Sequence, residues 1–300
     1  MKNLLFLLIV ILFYSCKEKH SYELDLKENV TYIQSTIIDT DLEQEINGES
    51  VYTNTRNTYQ TKFKVISKTD STITLNTRLS SMYLKINNLN SNITFSSESK
   101  DTTNIFNKIF KNMMNRDFII VVNKKGKILK VENFNNIFSK IFDNLPEIDE
   151  EKKQAFMFQV QQYLNEDYFK KMPIFGNDLY PSESVSLKDT WKSNTSMINN
   201  GIEIINNSEL KLKTHKPKYV IITFEGEIYT NNNIDENINP IFLKGTTNGA
   251  YKILPKSGWL KEATIIQNME GFTETPISIN SKSVIKSPIK IDTKITIVGN

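Results

Sequence analysis

Few residues in this sequence have the chemistry of a catalytic or metal-binding site. The chain contains two histidines and one cysteine. His20 lies near the amino terminus, and His215 lies in 213–217, a segment typical of a turn between two strands. No serine or carboxylate is spaced so as to orient His215 as a general base. A metal site with both histidines would need the amino-terminal segment to fold back onto this turn, so we predict that the two residues hold no metal.

Two groups of oxygen-rich side chains could in principle supply acid–base or cation-binding chemistry. Four acidic residues stand at the start of a predicted helix: Glu147, Asp149, Glu150 and Glu151. The positive end of the helix dipole explains their position, whereas a glycosidase pair would need two carboxylates buried opposite each other. The run 231–239, with Asp235 and Glu236, lacks the regular ligand spacing of a calcium loop and is predicted to be a polar hairpin loop.

Composition and glycine spacing narrow the function classes further. All ten glycines are isolated, so the sequence has no phosphate-binding loop, dinucleotide fingerprint or nucleophile elbow. The 300 residues are 39% hydrophobic, which is enough for a substantial core. The net charge is only +3, and the basic residues form no block. We therefore predict a protein that is not an enzyme, needs no cofactor and does not bind nucleic acid.

The cysteine is distinguished by its position. A positive start at Met1–Asn3 precedes an apolar run of 11 residues, Leu4–Tyr14, and Ser15-Cys16 follows. A helix of that length reaches about 16 Å, which is too short to span a bilayer. The arrangement resembles the bacterial lipobox, although Phe13 and Tyr14 depart from its usual residues. The resemblance implies a signal peptide at 1–15, lipidation of Cys16, a tether at 16–29, and anchoring to a membrane of the cell envelope, with the outer membrane expected.

Alternation of polar and apolar residues predicts long strands over much of the chain. In the last strand, isoleucines from Ile285 to Ile297 share one parity, and lysines occupy the other. The runs 51–66 and 71–87 are joined by Thr69-Asp70, as in a hairpin. A weak internal repeat indicates two β modules, at 30–180 with a helical insert and at 181–300.

Three segments in the middle of the chain have helical periodicity. Apolar residues from Ile105 to Met114 and from Phe134 to Phe142 form amphipathic stripes, and a longer helix is expected at 147–170. The large side chains of the stripes are Phe106, Phe110, Met113, Met114, Phe134, Phe138 and Phe142. We favour an ordinary core for them, because helices must cover the apolar face of a sheet. The alternative is that they line a pocket for a hydrophobic ligand.

Four turn motifs carry a resemblance that covers nearly the whole mature chain. They are Ile46-Asn47-Gly48, Asn123–Ile128, Leu187–Trp191 and Lys256–Leu260. In this order they resemble an uncharacterised family, a domain of unknown function in bacterial envelope lipoproteins. The resemblance implies a β-rich lipoprotein and supplies no catalytic residues.

The expected fold class is α+β. We expect a large curved antiparallel sheet, as one sheet or as two related half-barrel modules, with amphipathic helices covering the concave side. This architecture is similar to the lipoprotein-carrier fold. Two functions remain open: binding a hydrophobic small molecule between sheet and helices, or docking to an envelope protein as a structural lipoprotein without a ligand pocket.

Overall fold

The computed structural model describes residues 18–46, 48–89, 91–101, 103–143, 145, 148–163, 166, 170, 175, 178–199, 202–232, 240–276 and 283–300. The strands in this part of the chain are β1 (Thr31–Ile46), β2 (Glu49–Lys68), β3 (Thr72–Asn88), β4 (Ser91–Ser96), β5 (Phe118–Asn123), β6 (Ile128–Glu132), β7 (Thr190–Asn199), β8 (Ile202–Lys216), β9 (Tyr219–Asn231), β10 (Ile241–Ile253), β11 (Leu260–Pro276) and β12 (Val284–Gly299). The helical elements are α1 (Ile105–Met113), the 3₁₀ helix η1 (Phe134–Ile137) and α2 (Glu150–Tyr163).

All twelve described strands belong to one antiparallel sheet. Its order is β6-β5-β3-β2-β1-β12-β11-β10-β9-β8-β7, and β4 pairs with the far part of β3. The first and last strands are neighbours, with Gln34 opposite Gly299. The predicted antiparallel sheet is therefore confirmed, and strands from both predicted modules lie in one continuous sheet.

The alternating pattern of the strands gives the sheet two unlike faces. Residues that are directly opposite on neighbouring strands point to the same face. One face, called the inner face here, carries the buried residues Val65, Leu75 and Ile222. The other, the outer face, carries charged side chains such as those of Arg56 and Asp39, whose Nε and Oδ1 atoms lie 2.6 Å apart. The core therefore lies against the inner face.

The two ends of the sheet also differ, and they are named here base and tip. The base contains the β2–β3, β5–β6 and β10–β11 turns, and the tip contains the β1–β2 and β3–β4 turns. At the base, residues 20–26, called the base segment, run across the sheet end with Tyr22, Leu24 and Leu26 buried.

The base segment shows that the sheet is curled. Leu24 N donates to Lys124 O (2.7 Å) in the β5–β6 turn, and Asp25 N donates to Ser257 O (2.8 Å) in the β10–β11 turn. Because Leu24 and Asp25 are adjacent, these two turns lie within about 10 Å of each other. Five strand spacings in a flat sheet would separate them by about 24 Å. The sheet therefore curves around its inner face, which is concave.

The helical insert agrees with the sequence pattern in part. Helix α1 is confirmed, and the Asn104 side chain caps it by accepting from the backbone N–H groups of Phe106 and Asn107. Helix α2 is confirmed over Glu150–Tyr163, and Glu166 and Lys170, the two described residues in the rest of the predicted 147–170 span, are also helical. The acidic residues Glu150 and Glu151 stand in its first turn, as expected, whereas Glu147 lies outside the described residues.

The prediction of an amphipathic α-helix over Phe134–Phe142 is wrong. This segment forms η1 and then a series of tight turns, in which backbone bonds such as Phe138 N to Asn135 O and Ile141 N to Phe138 O span three residues. Asn133, just before it, has a left-handed backbone with φ 58°. The apolar spacing of the segment is satisfied by a 3₁₀-like coil as well as by an α-helix, because both return to the same face after three residues.

Candidate functional site

The seven predicted pocket residues divide between the core and its border. Those from the core are Met113, Met114, Phe134 and Phe138, each no more than 8% exposed. Phe110 and Phe142 pack at the border of this core, whereas Phe106 is 40% exposed. The rings of Phe134 and Phe118 meet edge to face at 5.4 Å, which places η1 on the inner face of β5.

The border residues form two small aromatic groups. Phe106 and Phe110 both contact Phe95 of β4, with ring centroids 4.6 and 6.1 Å away. Phe142 contacts Phe156 of α2 at 5.7 Å. The structure thus brings the predicted residues together with a packed core beneath the helices, and this core joins the base of both halves of the sheet.

Most of the inner face carries no charged side chains. Following the register from strand to strand, no inner-face position carries a charged side chain in 32–46, 51–65, 73–88, 202–212, 220–230, 241–253, 263–275 or 285–299. Charges on these strands point outward, as in the outer-face ladder Glu43–Lys290–Glu270–Lys244. An uncharged surface of this extent suits either a core or an apolar ligand.

A line of polar side chains crosses the inner face between base and tip. It is called the polar row here, and in sheet order it consists of Thr55, Thr40, Thr293, Gln267, Thr247, Ser208 and Ser193, with Gly226 between Thr247 and Ser208. The hydroxyls of Thr40 and Thr293 lie 3.3 Å apart and hydrogen-bond with each other. The row separates the packed core at the base from a second apolar region at the tip.

One member of the polar row has an unsatisfied side chain. Thr247 is 1% exposed, and its hydroxyl oxygen has no hydrogen-bond partner in the described part of the chain. Asn57, opposite Ile38 on the inner face, likewise has an unpartnered buried side-chain oxygen. Buried polar atoms are normally paired, so these two oxygens mark places where a water or the polar group of a ligand would be stabilised.

The second apolar region, called the tip cluster, lies beyond the polar row. Its buried members are Ile228, Leu243, Met269 and Ile289. The apolar side chains packed against it are Leu42, Ile204, Ile241 and Ile291. Among the described residues, every member of this region belongs to a strand. The tip cluster therefore differs from the base core, to which helices contribute Ile109, Met113 and Phe134.

Two glycines interrupt the tip cluster. Gly245 lies between Ile228 and Met269, and Gly271 lies between Leu243 and Ile289. A β-carbon at Gly245 would stand 1.8 Å from a backbone oxygen of β11, and one at Gly271 would stand 1.7 Å from a backbone oxygen of β10. Only glycine permits this close approach, which is typical of strongly bent strands in curved sheets.

The two histidines meet at the base. His20 pairs with Val185 through two backbone hydrogen bonds of 2.8 and 2.9 Å, and its ring stacks on His215 with centroids 3.7 Å apart. The Tyr22 hydroxyl lies 2.6 Å from Nδ1 of His215. The segment predicted as part of a tether therefore does fold back, because Tyr22, Leu24 and Leu26 alternate like a strand and bury their side chains.

The histidine pair has the electrostatics of a packing contact. Burial lowers the pKa of His215, and the neighbouring His20 lowers it further, against a smaller opposing effect of Glu18. Burial, helped by Glu18, raises the pKa of Tyr22 to about 12. No group of three or more histidine, cysteine or acidic ligands for a metal occurs among the residues that the structure describes.

The acidic residues at the start of α2 lie where the sequence predicts. Asp149 accepts a hydrogen bond from Lys152 N (2.9 Å) at the start of α2, as the dipole argument predicts. Cys16 and 233–239, with Asp235 and Glu236, lie outside the described residues. None of the described helices is long and apolar enough to cross a membrane.

The polar row and the tip cluster were not predicted from the sequence. A signal for the row exists within single strands: in β12 the inner-face series Ile289, Ile291, Ile295 and Ile297 is interrupted by Thr293. In β11, Gln267 interrupts Ile265 and Met269 in the same way. Their alignment into one line depends on strand order and register, which are tertiary information.

The chain is only weakly similar in structure to known proteins. Lipovitellin, in a structure titled for its lipid–protein interactions, has a TM-score of 0.49 and 10% identity over 92% of this chain, which spans a quarter of the lipovitellin chain. An outer membrane channel from Pseudomonas putida F1 has a TM-score of 0.24 and 7% identity, covering 92% of this chain and 97% of its own. The translocator domain of the autotransporter NalP from Neisseria meningitidis has a TM-score of 0.21 and 9% identity, covering 92% and 90%.

These three similarities are too low to indicate function. No curated protein matches the chain. Residues 70–260, which include most of the sheet and all of the helical insert, match DUF6263, described as a family of unknown function, and the protein belongs to that family.

Proposed function

We propose that the protein is a non-enzymatic binder of a hydrophobic ligand, held on the inner face of the sheet and anchored to the cell envelope through lipidated Cys16. The observation that carries the proposal is the tip cluster, an apolar region built from strand residues on an uncharged concave face. An acyl chain laid along such a surface gains about 0.8 kcal/mol for each methylene removed from water.

The polar row suggests where the polar end of the ligand would lie. Thr247 and Gln267 are adjacent in this row, next to Met269 of the tip cluster. The hydroxyl and amide groups can donate and accept hydrogen bonds, whereas none of the inner-face positions followed above along the described strands carries a cation. A buried carboxylate without a cationic partner is costly. The ligand that fits is therefore a neutral amphiphile, such as an ester, an alcohol or an amide with an acyl chain.

This proposal moves the expected binding region away from the helices. Ile109 of α1 and Phe134 of η1 are no more than 2% exposed. Such packing supports the core interpretation of the stripes. If the tip cluster binds no ligand, the packed core beneath the helices leaves the second candidate function, a structural lipoprotein.

Ligand binding can be tested on the full-length protein. Native mass spectrometry of the purified protein should reveal a co-purified neutral lipid, and a fluorescent acyl ester should bind in competition with it. Met269→Lys places a charge in the tip cluster and should abolish probe binding. Ile266→Lys, on the outer face of the same strand, is the matched control and should bind the probe like the wild type.

The outcomes separate the two candidate functions. If the wild type neither carries a lipid nor binds the probe, the ligand-binding proposal fails and the structural role remains. If both lysine variants bind as well as the wild type, the ligand lies elsewhere. Thermal unfolding of each variant shows whether lost binding reflects lost fold.

The lipid anchor has a separate test. Labelled palmitate should be incorporated into the wild type and not into Cys16→Ser, because acylation requires the thiol at that position. Equal labelling of the two proteins would refute the anchor and leave the ligand-binding test unaffected.

A further inference from the structure

The charged side chains of the sheet are separated by sign along its strands. The polar row divides the described strands and their turns into a base half and a tip half, and the row itself is counted with the tip half. The base half has 22 lysines and arginines and 13 acidic residues, whereas the tip half has 3 and 9. The base half is 18–39, 56–85, 117–132, 183–192, 209–225, 248–266 and 294–300, and the tip half is 40–46, 48–55, 86–89, 91–96, 193–199, 202–208, 226–232, 240–247, 267–276 and 283–293. The described sheet is therefore positive at its base and negative at its tip.

The positive charge of the base half is concentrated in its turns. The β8–β9 turn lies at the base, because Val220 is opposite Ile253 at the end of β10. This turn and the strand ends beside it, 211–219, contain four lysines and no acidic residue. The β5–β6 and β10–β11 turns add the exposed side chains of Lys127 and Lys256. Although the sequence has no basic block, the fold brings these lysines to one end of the molecule.

Acidic residues at the base do not neutralise these turn lysines. Glu23 of the base segment pairs with Lys124 at 3.4 Å, and Glu262 pairs with Lys252 at 2.9 Å, so both carboxylates already have a cationic partner. Among the residues that the structure describes, no ion pair involves the exposed lysines of the β8–β9 turn, which are Lys213, Lys216 and Lys218. These ammonium groups are therefore available to an external anion.

The segment that leads to Cys16 lies beside the same turn. The ring of His20 stacks on the ring of His215 with centroids 3.7 Å apart, and His215 belongs to the lysine-rich 211–219. Four residues separate His20 from Cys16, so these two residues lie within about 14 Å of each other. A lipid on Cys16 would keep the base next to the head groups of the bilayer. The tip lies about 50 Å away, because β3 contains 17 residues.

Anionic phospholipid is the partner whose charge and position match the base. Lysines near such a surface are attracted to it, and the attraction falls off within a Debye length, so only the end held beside the membrane experiences it. The acidic tip would be repelled by the same surface. The separation of charge therefore favours one orientation of the molecule, with its base toward the bilayer. Nucleic acid also carries phosphates, but it would not account for basic turns beside the residue expected to carry the lipid.

We propose that the base docks on the surface of a bilayer containing anionic phospholipid, with the exposed lysines of its turns contacting lipid phosphates. The inference rests on the proposed function for the anchor at Cys16, which places the base at a membrane. It adds a partner of defined charge and an orientation. The tip cluster then faces away from the bilayer that anchors the protein.

The test measures binding of the full-length Cys16→Ser chain to lipid vesicles, so that no acyl chain on the protein contributes. Vesicles of phosphatidylcholine alone give the background, including any contribution of the apolar run 4–14. Vesicles of phosphatidylcholine mixed with phosphatidylglycerol add the negative charge. The partition coefficient should rise when phosphatidylglycerol is present, and high salt should remove the increase, because salt screens exposed charges.

Two triple variants of this chain, with equal net charge, locate the docking surface. The base triple is Lys213→Gln, Lys218→Gln and Lys256→Gln, and the tip triple is Lys244→Gln, Lys286→Gln and Lys290→Gln. The base triple should lose most of the increase, up to about 100-fold, because each lysine near an anionic surface contributes about fivefold. The tip triple should keep the increase. Thermal unfolding shows that both variants are folded.

Three results would overturn the docking proposal. The first is a partition coefficient that does not respond to phosphatidylglycerol, and the second is an equal loss in the two triple variants, which would reflect net charge alone. The third is binding to duplex DNA that is as strong as binding to the vesicles and is lost in the base triple, because the partner would then be a nucleic acid. Palmitate labelling of the wild type without charge-dependent vesicle binding rejects docking alone. Charge-dependent binding without palmitate labelling supports docking and rejects the anchor alone.

Discussion

The base and tip of this sheet are made of the same strands, but different parts of the chain pack against their inner faces. At the base, the buried cluster on the inner face includes residues of α1 and η1, the base segment, and residues such as Phe175 and Tyr180, whose hydroxyl donates to Gly258 O at 2.6 Å. At the tip, the inner-face apolar cluster is formed by strand residues alone within the described chain. The difference shows that the alternating pattern creates an apolar face along the whole strand, and that segments outside the strands enlarge its buried part at the base.

The largest expected effect compares one leucine at each end. Leu75 is fully buried in the base core, and Leu243 belongs to the tip cluster. Leu75→Ala should lower the free energy of unfolding by about 3–5 kcal/mol, because it leaves a cavity in a closed core. Leu243 is 6% exposed and belongs to a smaller cluster, with four buried members, so Leu243→Ala should cost less, about 2–3 kcal/mol. Urea unfolding measures both, and equal losses would make the tip an ordinary core.

A second comparison uses two glycines with positive φ. At the base, Gly258 has φ 66°, and a β-carbon there would stand 2.1 Å from Glu23 O of the base segment. At the tip, Gly48 has φ 81° and open space around it. Gly48→Ala should cost about 1–2 kcal/mol, the ordinary penalty of a left-handed backbone.

Gly258→Ala should cost more than Gly48→Ala, because it must also displace the base segment. The variant should increase amide exchange at Leu24 and Asp25, and Gly48→Ala should not. A similar exchange rate at these two amides in both variants would indicate that the base segment does not depend on the turn beneath it.

A smaller effect is expected from two buried threonines. The hydroxyls of Thr77 in the base core and Thr247 in the polar row both lack a partner within the described residues. Replacing either by valine removes an unsatisfied oxygen at nearly constant volume and should leave stability unchanged or raise it by about 1–2 kcal/mol. Only Thr247→Val should weaken binding of the acyl-ester probe. Weakened binding in Thr77→Val, or in neither variant, would contradict the role given to the polar row.

The smallest effect concerns pH at the base. Burial, together with His20, holds the pKa of His215 below its ordinary value of 6.5. The unfolded chain therefore binds a proton more readily than the folded chain does, so this histidine's contribution to stability is present above pH 6.5 and is lost as pH falls below it. The melting temperature should fall more steeply between pH 7.5 and 5 in the wild type than in His215→Gln. If the melting temperature changes with pH equally in the two proteins, His215 does not contribute to the pH dependence of stability.

Much of the sheet could be predicted because its strands are long and each has one dry face. The parity of Ile289, Ile295 and Ile297 is visible without any tertiary information, and β12 has the predicted character. The resemblance to a family of unknown function is confirmed by the match over 70–260. Helix α1 was predictable because its stripe is accompanied by a good amino-terminal cap, Asn104.

The remaining features depend on contacts between distant segments. The path of the base segment is set by hydrogen bonds to Lys124 and Ser257, which lie far away in sequence. The turns after η1 replace the expected helix even though the apolar spacing is helical, and Asn112 Nδ2 holds them by donating to the carbonyls of Ile141 and Asp143. The alignment of the polar row depends on strand register. Strand order, register and long-range hydrogen bonds cannot be read from local sequence patterns, so the candidate binding region was expected under the helices.

The pairing of β1 with β12 has a consequence for folding. The centre of the sheet joins β1 to β12, so it can form only after both of these distant strands are available. Until β12 pairs with it, β1 has one unpaired edge along its 16 residues, and this edge can pair with a wrong strand. High contact order of this kind slows folding, and we expect refolding to be slow and concentration-sensitive. The same adjacency places Ile33 beside Asn300, and these two residues exchange backbone hydrogen bonds of 3.1 and 2.8 Å.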